Sequence, residues 1–134
     1  MASTLTFRTT RHKECLDITD GVRGAVRASG VRRGLCHVMA LHATAAVVIN
    51  ENDDPNIGVD VIRALGSLVP THNDWLHDLK DDNAHSHVKA SLLGPSELIP
   101  ISDGDLLLGK WQAIWLFEFD GPRARRVAVH ILES

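Results

Sequence analysis

The last third of the chain, residues 96–134, reads SELIPISDGDLLLGKWQAIWLFEFDGPRARRVAVHILES. Apolar side chains alternate with others along residues 111–119, and the alternation resumes over residues 127–131, a period of two that is typical of β-strands. Residues 120–122, Asp-Gly-Pro, form a turn signal between the two runs. This region therefore predicts an antiparallel meander, with residues 111–119 as its longest strand.

That long strand has one aromatic face. Alternation places Trp111, Ala113, Trp115, Phe117 and Phe119 on one side. Such a stripe is usually core or a subunit interface. Gln112 and Glu118 lie on the opposite side, which we expect to face a partner or a site.

Upstream of this region, strands and helices come in mixed order. The helix signal is strongest at Asp54-Pro55, an N-cap followed by proline at the first helical position, and the helix should end near Pro70. Further patterns predict strands over 5–9, 16–19, 35–42 and 45–49, a helix from about 20 to 28, a loop over 71–83 and a helix from Asn83 to Gly94. Hairpins without regular βαβ crossovers favour an α+β fold, with mainly antiparallel sheet layers and two or three helices.

Length and composition limit the function classes. The 134 residues predict a single domain over residues 1–134, and a 44% hydrophobic content is enough for a core. The net charge of -3 makes nucleic acid a poor partner. No apolar run of about 18 residues and no apolar leader segment are present, so we expect a cytoplasmic protein without a membrane partner.

Histidine is the first functional signal. Five of the eight histidines fall between residues 42 and 87. Three clusters stand out: His42-Ala43-Thr44 followed by Asn50-Glu51; His77-Asp78; and residues 83–87, NAHSH. Imidazoles and carboxylates from separate elements suit a divalent cation such as Zn²⁺ with an open position, and they also suit acid–base chemistry. Solvated or structurally bonded imidazoles are the common alternative.

Spacing reduces the number of candidates. His85 and His87 are two positions apart, so on a helix one of them should face away from a shared site. Cys36 would lie about 20 Å from His42 along one strand, so we expect it to be a buried apolar residue. The basic run Arg123, Arg125 and Arg126 has two interpretations, a phosphate site or a solvated strand edge. His12, His37, His72 and His130 are interpreted as structural or solvated.

A series of short motifs resembles one family from about residue 5 to the C-terminus. The motifs are His42-Ala43-Thr44, Asn50-Glu51-Asn52, Asp54-Pro55, Asp60, Trp75-Leu76-His77-Asp78, residues 83–87, Leu93-Gly94-Pro95-Ser96, Ile99-Pro100, Gly104 and Leu108-Gly109-Lys110-Trp111-Gln112. In this order they are similar to the YjbQ-like family, also called the secondary thiamine-phosphate synthase family. Each motif is weak alone, and the ordered series is specific.

The resemblance implies a homotrimer and a weak thiamine-phosphate synthase activity. This reaction joins hydroxymethylpyrimidine diphosphate to thiazole phosphate and releases pyrophosphate. The family's polar positions fall on His42, Thr44, Glu51, Asp60, His77, Asn83, His87 and Gln112. Relatives usually have Thr or Ser where this chain has Ala43, which would weaken the activity if that hydroxyl binds substrate.

On this resemblance we hypothesise that His42, His77 and His87 converge on one divalent metal (Zn²⁺, Mg²⁺ or Mn²⁺) or on an anion, with Glu51 close by. Arg125 would supply a phosphate donor. Thr44, Glu51, Asp60, Asn83 and Gln112 are the candidate catalytic residues. A metal-dependent hydrolase of a small phosphorylated metabolite would use the same set, and a non-catalytic trimer that binds a metal or anion is a third possibility.

Overall fold

The computed structural model describes all 134 residues as one α+β domain with three α-helices. Its elements in chain order are β1 (Ala2–Arg8), β2 (Glu14–Asp17), α1 (Thr19–Ser29), β3 (Gly34–Ala40), β4 (Ala45–Glu51), α2 (Asn56–Leu68), a 3₁₀ turn (Leu76–Leu79), α3 (Ala84–Leu93), β5 (Ser96–Ser102), β6 (Asp105–Leu106), β7 (Gln112–Glu118) and β8 (Ala124–Glu133). No helix is both long enough and apolar enough to cross a membrane.

The strands form two antiparallel sheets. Five strands pair in the order β1-β8-β3-β5-β6, and three pair in the order β2-β7-β4. The predicted C-terminal meander is therefore wrong beyond β6, because β7 and β8 belong to different sheets. The turn signal at residues 120–122 carries the chain from one sheet to the other. Local turn chemistry does not specify whether the two flanking strands pair with each other.

The two faces of β7 explain this arrangement. Ile114 and Leu116 pack in the core between the two sheets, against residues of β3, β5, β8 and α1. Trp115, Phe117 and Phe119 pack on the other side, under α2 and α3. The aromatic face is thus core, as one of our two interpretations held. On the opposite face Glu118 is 0% exposed, so the expectation that it meets a partner or site is wrong for this residue. Gln112, at the start of the strand, is exposed and lines a cavity.

The outer face of the five-stranded sheet is uncovered. Along β3, β5 and β8 the inward residues are buried while alternate residues face outward. Large apolar side chains on this outer face remain exposed, namely Leu35, Met39, Leu98 and Leu132. His37 and His130 lie side by side among them on the same face. Exposed large apolar side chains grouped on one sheet face are typical of an interaction surface.

The helix signals are confirmed to within a residue or two. The N-cap position of α2 is Pro55, one residue later than expected. The Asp54 carboxylate accepts a hydrogen bond from the Asn56 N–H at 3.0 Å and so satisfies the first N–H of the helix. Asn83 precedes α3 but its side chain makes no cap bond. The Ala84 N–H is bonded instead to Asp78 at 3.0 Å, which ties the 3₁₀ turn to the start of α3. Cys36 is fully buried, as expected, and burial raises the pKa of its thiol to about 11.

Candidate functional site

Three of the predicted histidines meet at one end of the three-stranded sheet. His42, in the turn between β3 and β4, and His87, on α3, line the same cavity of about 250 Å³. His77, on the 3₁₀ turn, packs edge-on against His87 with the ring centroids 4.7 Å apart. We call this region, comprising His42, Thr44, His77, Asn83 and His87, the histidine end.

His42 is held by the backbone of β8. Its Nε2 atom accepts a hydrogen bond from the Arg126 N–H at 2.8 Å. The neutral ring therefore carries its proton on Nδ1, which can only donate. Burial lowers the pKa of His42, and the positive charges of Arg125 and Arg126 lower it further. The ring is thus a neutral hydrogen-bond donor, which suits an anionic ligand.

A buried ion pair lies beneath Thr44. Arg125, 1% exposed, donates from Nε to the Glu118 carboxylate at 2.9 Å and from Nη2 to the Thr44 hydroxyl at 2.8 Å. Glu118 also accepts bonds from the Thr9 hydroxyl at 2.7 Å and the Asp120 N–H at 3.0 Å. Burial alone would raise the pKa of Glu118, but these bonds and the Arg125 charge hold it below its ordinary value.

This network changes the interpretation of Arg125. The residue does not lie on a solvated strand edge, and its guanidinium is already neutralised by Glu118. Its contacts position the Thr44 hydroxyl and carbonyl, and Thr44 in turn accepts the bond from the Phe119 N–H. Arg126 and Arg123 are exposed, as the solvated interpretation predicted for them.

Two polar atoms at the histidine end lack partners. His77 Nε2 and Asn83 Oδ1 are buried without a hydrogen bond, and the Asp81 carboxylate is 3.6 Å from His77 Nε2. The Asn83 amide nitrogen donates to Asp120 at 2.9 Å, so its oxygen is the free atom. Buried polar atoms without partners are costly, and they mark positions that a ligand can satisfy.

The predicted metal triad does not fit the geometry. His42 offers no free lone pair, because Nε2 accepts a bond and Nδ1 carries the proton. The only group of three His, Cys, Asp or Glu side chains whose ligand atoms all lie within 4.8 Å of one another is His72, Asp78 and Asp82. The sequence interpretation had set His72 aside. These three lie in the loop before α3, and His72 and Asp82 are exposed.

The remaining predicted residues lie elsewhere in the chain. Glu51 ends β4 and is paired in register with Gln112 at the start of β7, whereas Ala45 is paired with Glu118 at the other end. Six residues of strand separate the two ends, which is about 20 Å. Asp60 is exposed on α2. Glu51 is therefore not close to the three histidines within one chain, contrary to the hypothesis.

The far end of the sheet has its own cavity, of about 510 Å³. Gln112 lines it together with Asp17, Asn52 and Trp111. Trp111 is 52% exposed because β7 begins one residue later, so it does not continue the buried aromatic face. Lys110 stacks over its ring at 4.7 Å.

Sequence reasoning missed Lys89, a buried basic residue on α3. His85 faces away from His87, as the spacing predicted, and lies 2% exposed with its Nδ1 3.1 Å from Lys89 Nζ. Burial lowers the pKa of His85 to about 4, and the charges of Lys89 and Lys13 add to the effect. Burial and the adjacent Lys13 lower the pKa of Lys89 to about 8. Spacing in the sequence could have indicated this contact, because a lysine four residues after His85 lies on the same face of a helix.

Comparisons with known proteins agree over nearly the whole chain. The model of the family described as UPF0047 protein YjbQ-like matches residues 3–134. A UPF0047 protein of Methanothermobacter thermautotrophicus is 41% identical over 127 residues, which cover 95% of this chain and 88% of that protein. The UPF0047 protein YugU of Bacillus subtilis is 35% identical over 135 residues, covering 98% and 99%.

Solved structures show the same fold. A YbjQ-like protein of unknown function from Sulfolobus solfataricus superposes with a TM-score of 0.96 at 37% identity, covering 100% of this chain and 97% of that one. An uncharacterised YjbQ/UPF0047 protein from Clostridium acetobutylicum gives a TM-score of 0.93 at 42% identity, covering 97% and 99%.

Proposed function

The chain belongs to the YjbQ-like UPF0047 family, and from that premise we propose that it is a weak thiamine-phosphate synthase-type transferase. In this reaction a bond forms between the thiazole nitrogen and the methylene carbon of hydroxymethylpyrimidine diphosphate. The bond from that carbon to the diphosphate oxygen breaks, and pyrophosphate leaves with the electron pair. The observation that carries the proposal is the pair His42 and His87 on one cavity, backed by His77.

The residues of the histidine end suit a diphosphate leaving group. Negative charge develops on the departing oxygen, and preorganised donors aimed at that charge lower the barrier. His42 donates from Nδ1, because its Nε2 is held by Arg126. His87 supplies a second imidazole on the same cavity, and His77 packs against the His87 ring. Thr44 is held in place by Arg125.

We also propose that the protein works as a homotrimer with sites shared between subunits. The aromatic strand, which is internal, does not support assembly, but the exposed apolar face with Leu35, Met39, Leu98 and Leu132 does. Glu51 and Gln112 lie too far from the histidine end to join it within one chain, and Asp60 is exposed on α2. A neighbouring subunit would bring them to it.

The first experiment measures thiamine phosphate and pyrophosphate formed from the two substrates. We expect slow turnover by the wild type, and a loss of at least tenfold for His87→Ala with unchanged mass in solution. Ser67→Ala, an exposed residue of α2 outside both the histidine end and the outer face of the five-stranded sheet, is the control and should keep its activity. No product from any preparation would overturn the transferase, and release of phosphate from phosphate esters alone would favour a hydrolase.

The same assay is repeated with added Zn²⁺, Mg²⁺ or Mn²⁺ and with a chelator. Turnover that needs Zn²⁺, Mg²⁺ or Mn²⁺ and is lost in His72→Ala would place the cation at His72, Asp78 and Asp82. Turnover that is unchanged by a chelator and by His72→Ala would support stabilisation of the leaving group by hydrogen-bond donors of the protein alone.

Shared sites can be tested by mixing inactive variants. His87→Ala and Gln112→Ala would each be inactive alone, since each removes one end of the site. Unfolded and refolded together, they should form mixed trimers in which some sites are complete. Recovered activity supports a site between subunits, whereas no recovery from a mixture shown to contain mixed trimers would contradict it.

A further inference from the structure

A group of four basic side chains lies on the side of α3 that faces away from His87. We call it the basic cluster, and it comprises His12 and Lys13 from the β1–β2 loop with His85 and Lys89 from α3. Lys89 Nζ lies 3.1 Å from His85 Nδ1, the rings of His85 and His12 are 6.1 Å apart, and Lys13 lies against Lys89. The helix therefore separates this cluster from the histidine end.

The basic cluster has no negative partner. His85 and Lys89 are 2% and 1% exposed, yet no carboxylate comes within 4.0 Å of Lys89 or Lys13. The acid whose charge acts on His85 is Asp120, and its carboxylate is already bonded to Asn83 and Arg123. A buried ammonium without a counter-charge is costly, and a bound anion removes that cost.

An adjoining cavity supplies the room for such an anion. It holds about 510 Å³, within the range of small-molecule sites, and Lys13 lines it, so this residue joins the cavity to the basic cluster. Arg11 and Arg63 add two more cations to the wall. The one acid there, Glu14, accepts bonds from the Thr10 and Arg11 N–H groups at 2.6 and 2.7 Å, so its charge is already satisfied.

The rest of the wall is apolar. Pro55, just before α2, and Val59 and Ile62, on α2, contribute apolar surface together with Cys15 and Trp115 from the sheet. A site with one cationic end and an apolar body selects ligands that carry both kinds of surface. Such a ligand has an oxyanion joined to an apolar or aromatic ring.

We propose that this cavity binds a small anionic metabolite whose phosphate or carboxylate group contacts Lys13, with Lys89 and the two imidazoles of the basic cluster behind it. Its apolar body lies against Ile62 and Trp115. The site is independent of the proposed transferase, because it uses the opposite side of α3 and none of the residues of the histidine end.

The test uses two probes, phenyl phosphate and benzoate, titrated into the full-length protein by calorimetry. We expect saturable binding of at least one probe to the wild type, with one molecule per chain at this cavity. Lys13→Met, a half-buried position, should fold normally and weaken binding at least tenfold. Lys110→Met, an exposed lysine beside the far-end cavity, is the matched control and should bind as the wild type does. The tighter probe identifies the oxyanion.

Three results would overturn the proposal. One is no binding of either probe by the wild type at millimolar concentration. Another is equal binding by Lys13→Met and Lys110→Met. The third is binding that Lys13→Met keeps and His87→Ala loses, which would place the anion at the histidine end. Lys89→Met serves as the second variant, and we expect it to weaken the same probe in a protein whose circular dichroism is unchanged.

Discussion

Two buried pairs of polar side chains in this molecule differ in how their charges are satisfied. Glu118 and Arg125 form an ion pair, and the surrounding hydroxyl and backbone groups complete their hydrogen bonds. His85 and Lys89 are equally buried, but they face Lys13 instead of a carboxylate. We call the Glu118–Arg125 pair closed, because its hydrogen bonds and counter-charges all lie within the chain, where they stabilise the fold. We call the His85–Lys89 pair the open group, because Lys89 has no counter-charge, and a bound anion gains most at such a buried charge.

Breaking the closed pair should give the largest effect. Arg125→Met leaves the Glu118 carboxylate buried without its cation, and we expect a loss of about 3–5 kcal/mol in the free energy of unfolding. The double variant Glu118→Gln with Arg125→Met removes both charges and should recover much of that loss. Urea unfolding of the two single variants and the double variant measures this. A double variant that is no more stable than the less stable of the two single variants would contradict the pairing argument.

Low pH should break the Glu118–Arg125 ion pair in the wild-type protein. The folded-state pKa of Glu118 lies below its ordinary value of 4.5, so the unfolded state binds more protons and stability falls as the pH drops below about 4.5. The pKa of Asp105 is also lowered, by its hydrogen bond from Arg23, and this contributes equally in every variant. The double variant should therefore lose less stability between pH 6 and 3 than the wild type. Equal slopes would show that Glu118 does not contribute.

Removing the hydroxyl above the pair should cost less. Thr44→Val deletes the acceptor for Arg125 Nη2, which keeps its bonds to Glu118 and the Thr44 carbonyl. We expect a loss of about 1–3 kcal/mol, the cost of one buried hydrogen bond to a charged group. Thermal unfolding gives the stability change. Loss of transferase activity beyond the loss of folded protein would show that the hydroxyl also acts in the site.

Substitution in the open group should change the free energy of unfolding least. In anion-free buffer Lys89→Met removes a buried cation, which is favourable, and leaves His85 Nδ1 without a partner, which is unfavourable. These effects oppose each other, so we expect a stability within about 1 kcal/mol of the wild type. A loss as large as that of Arg125→Met would mean that Lys89 is structural and would remove the contrast between the two groups.

Much of the fold could be predicted from the sequence because its signals are local. Asp54-Pro55 predicts the start of α2, and the alternation over residues 111–119 predicts a strand, since periodicity and capping depend on neighbours in the chain. The ordered motifs identify the family. The histidine end was partly predictable for the same reason, because His42, His77 and His87 belong to those motifs.

Other properties depend on which segments pack together. The sequence determined the elements, their α+β class, the family, and the opposite orientation of His85 and His87, all of which follow from local geometry. Only the tertiary structure decided that β7 and β8 join different sheets and that Arg125 pairs internally with Glu118. It also decided that Glu51 lies far from the histidines and that Lys89 meets Lys13. Strand pairing and charge burial are set by contacts between residues far apart in the chain, which no local pattern specifies.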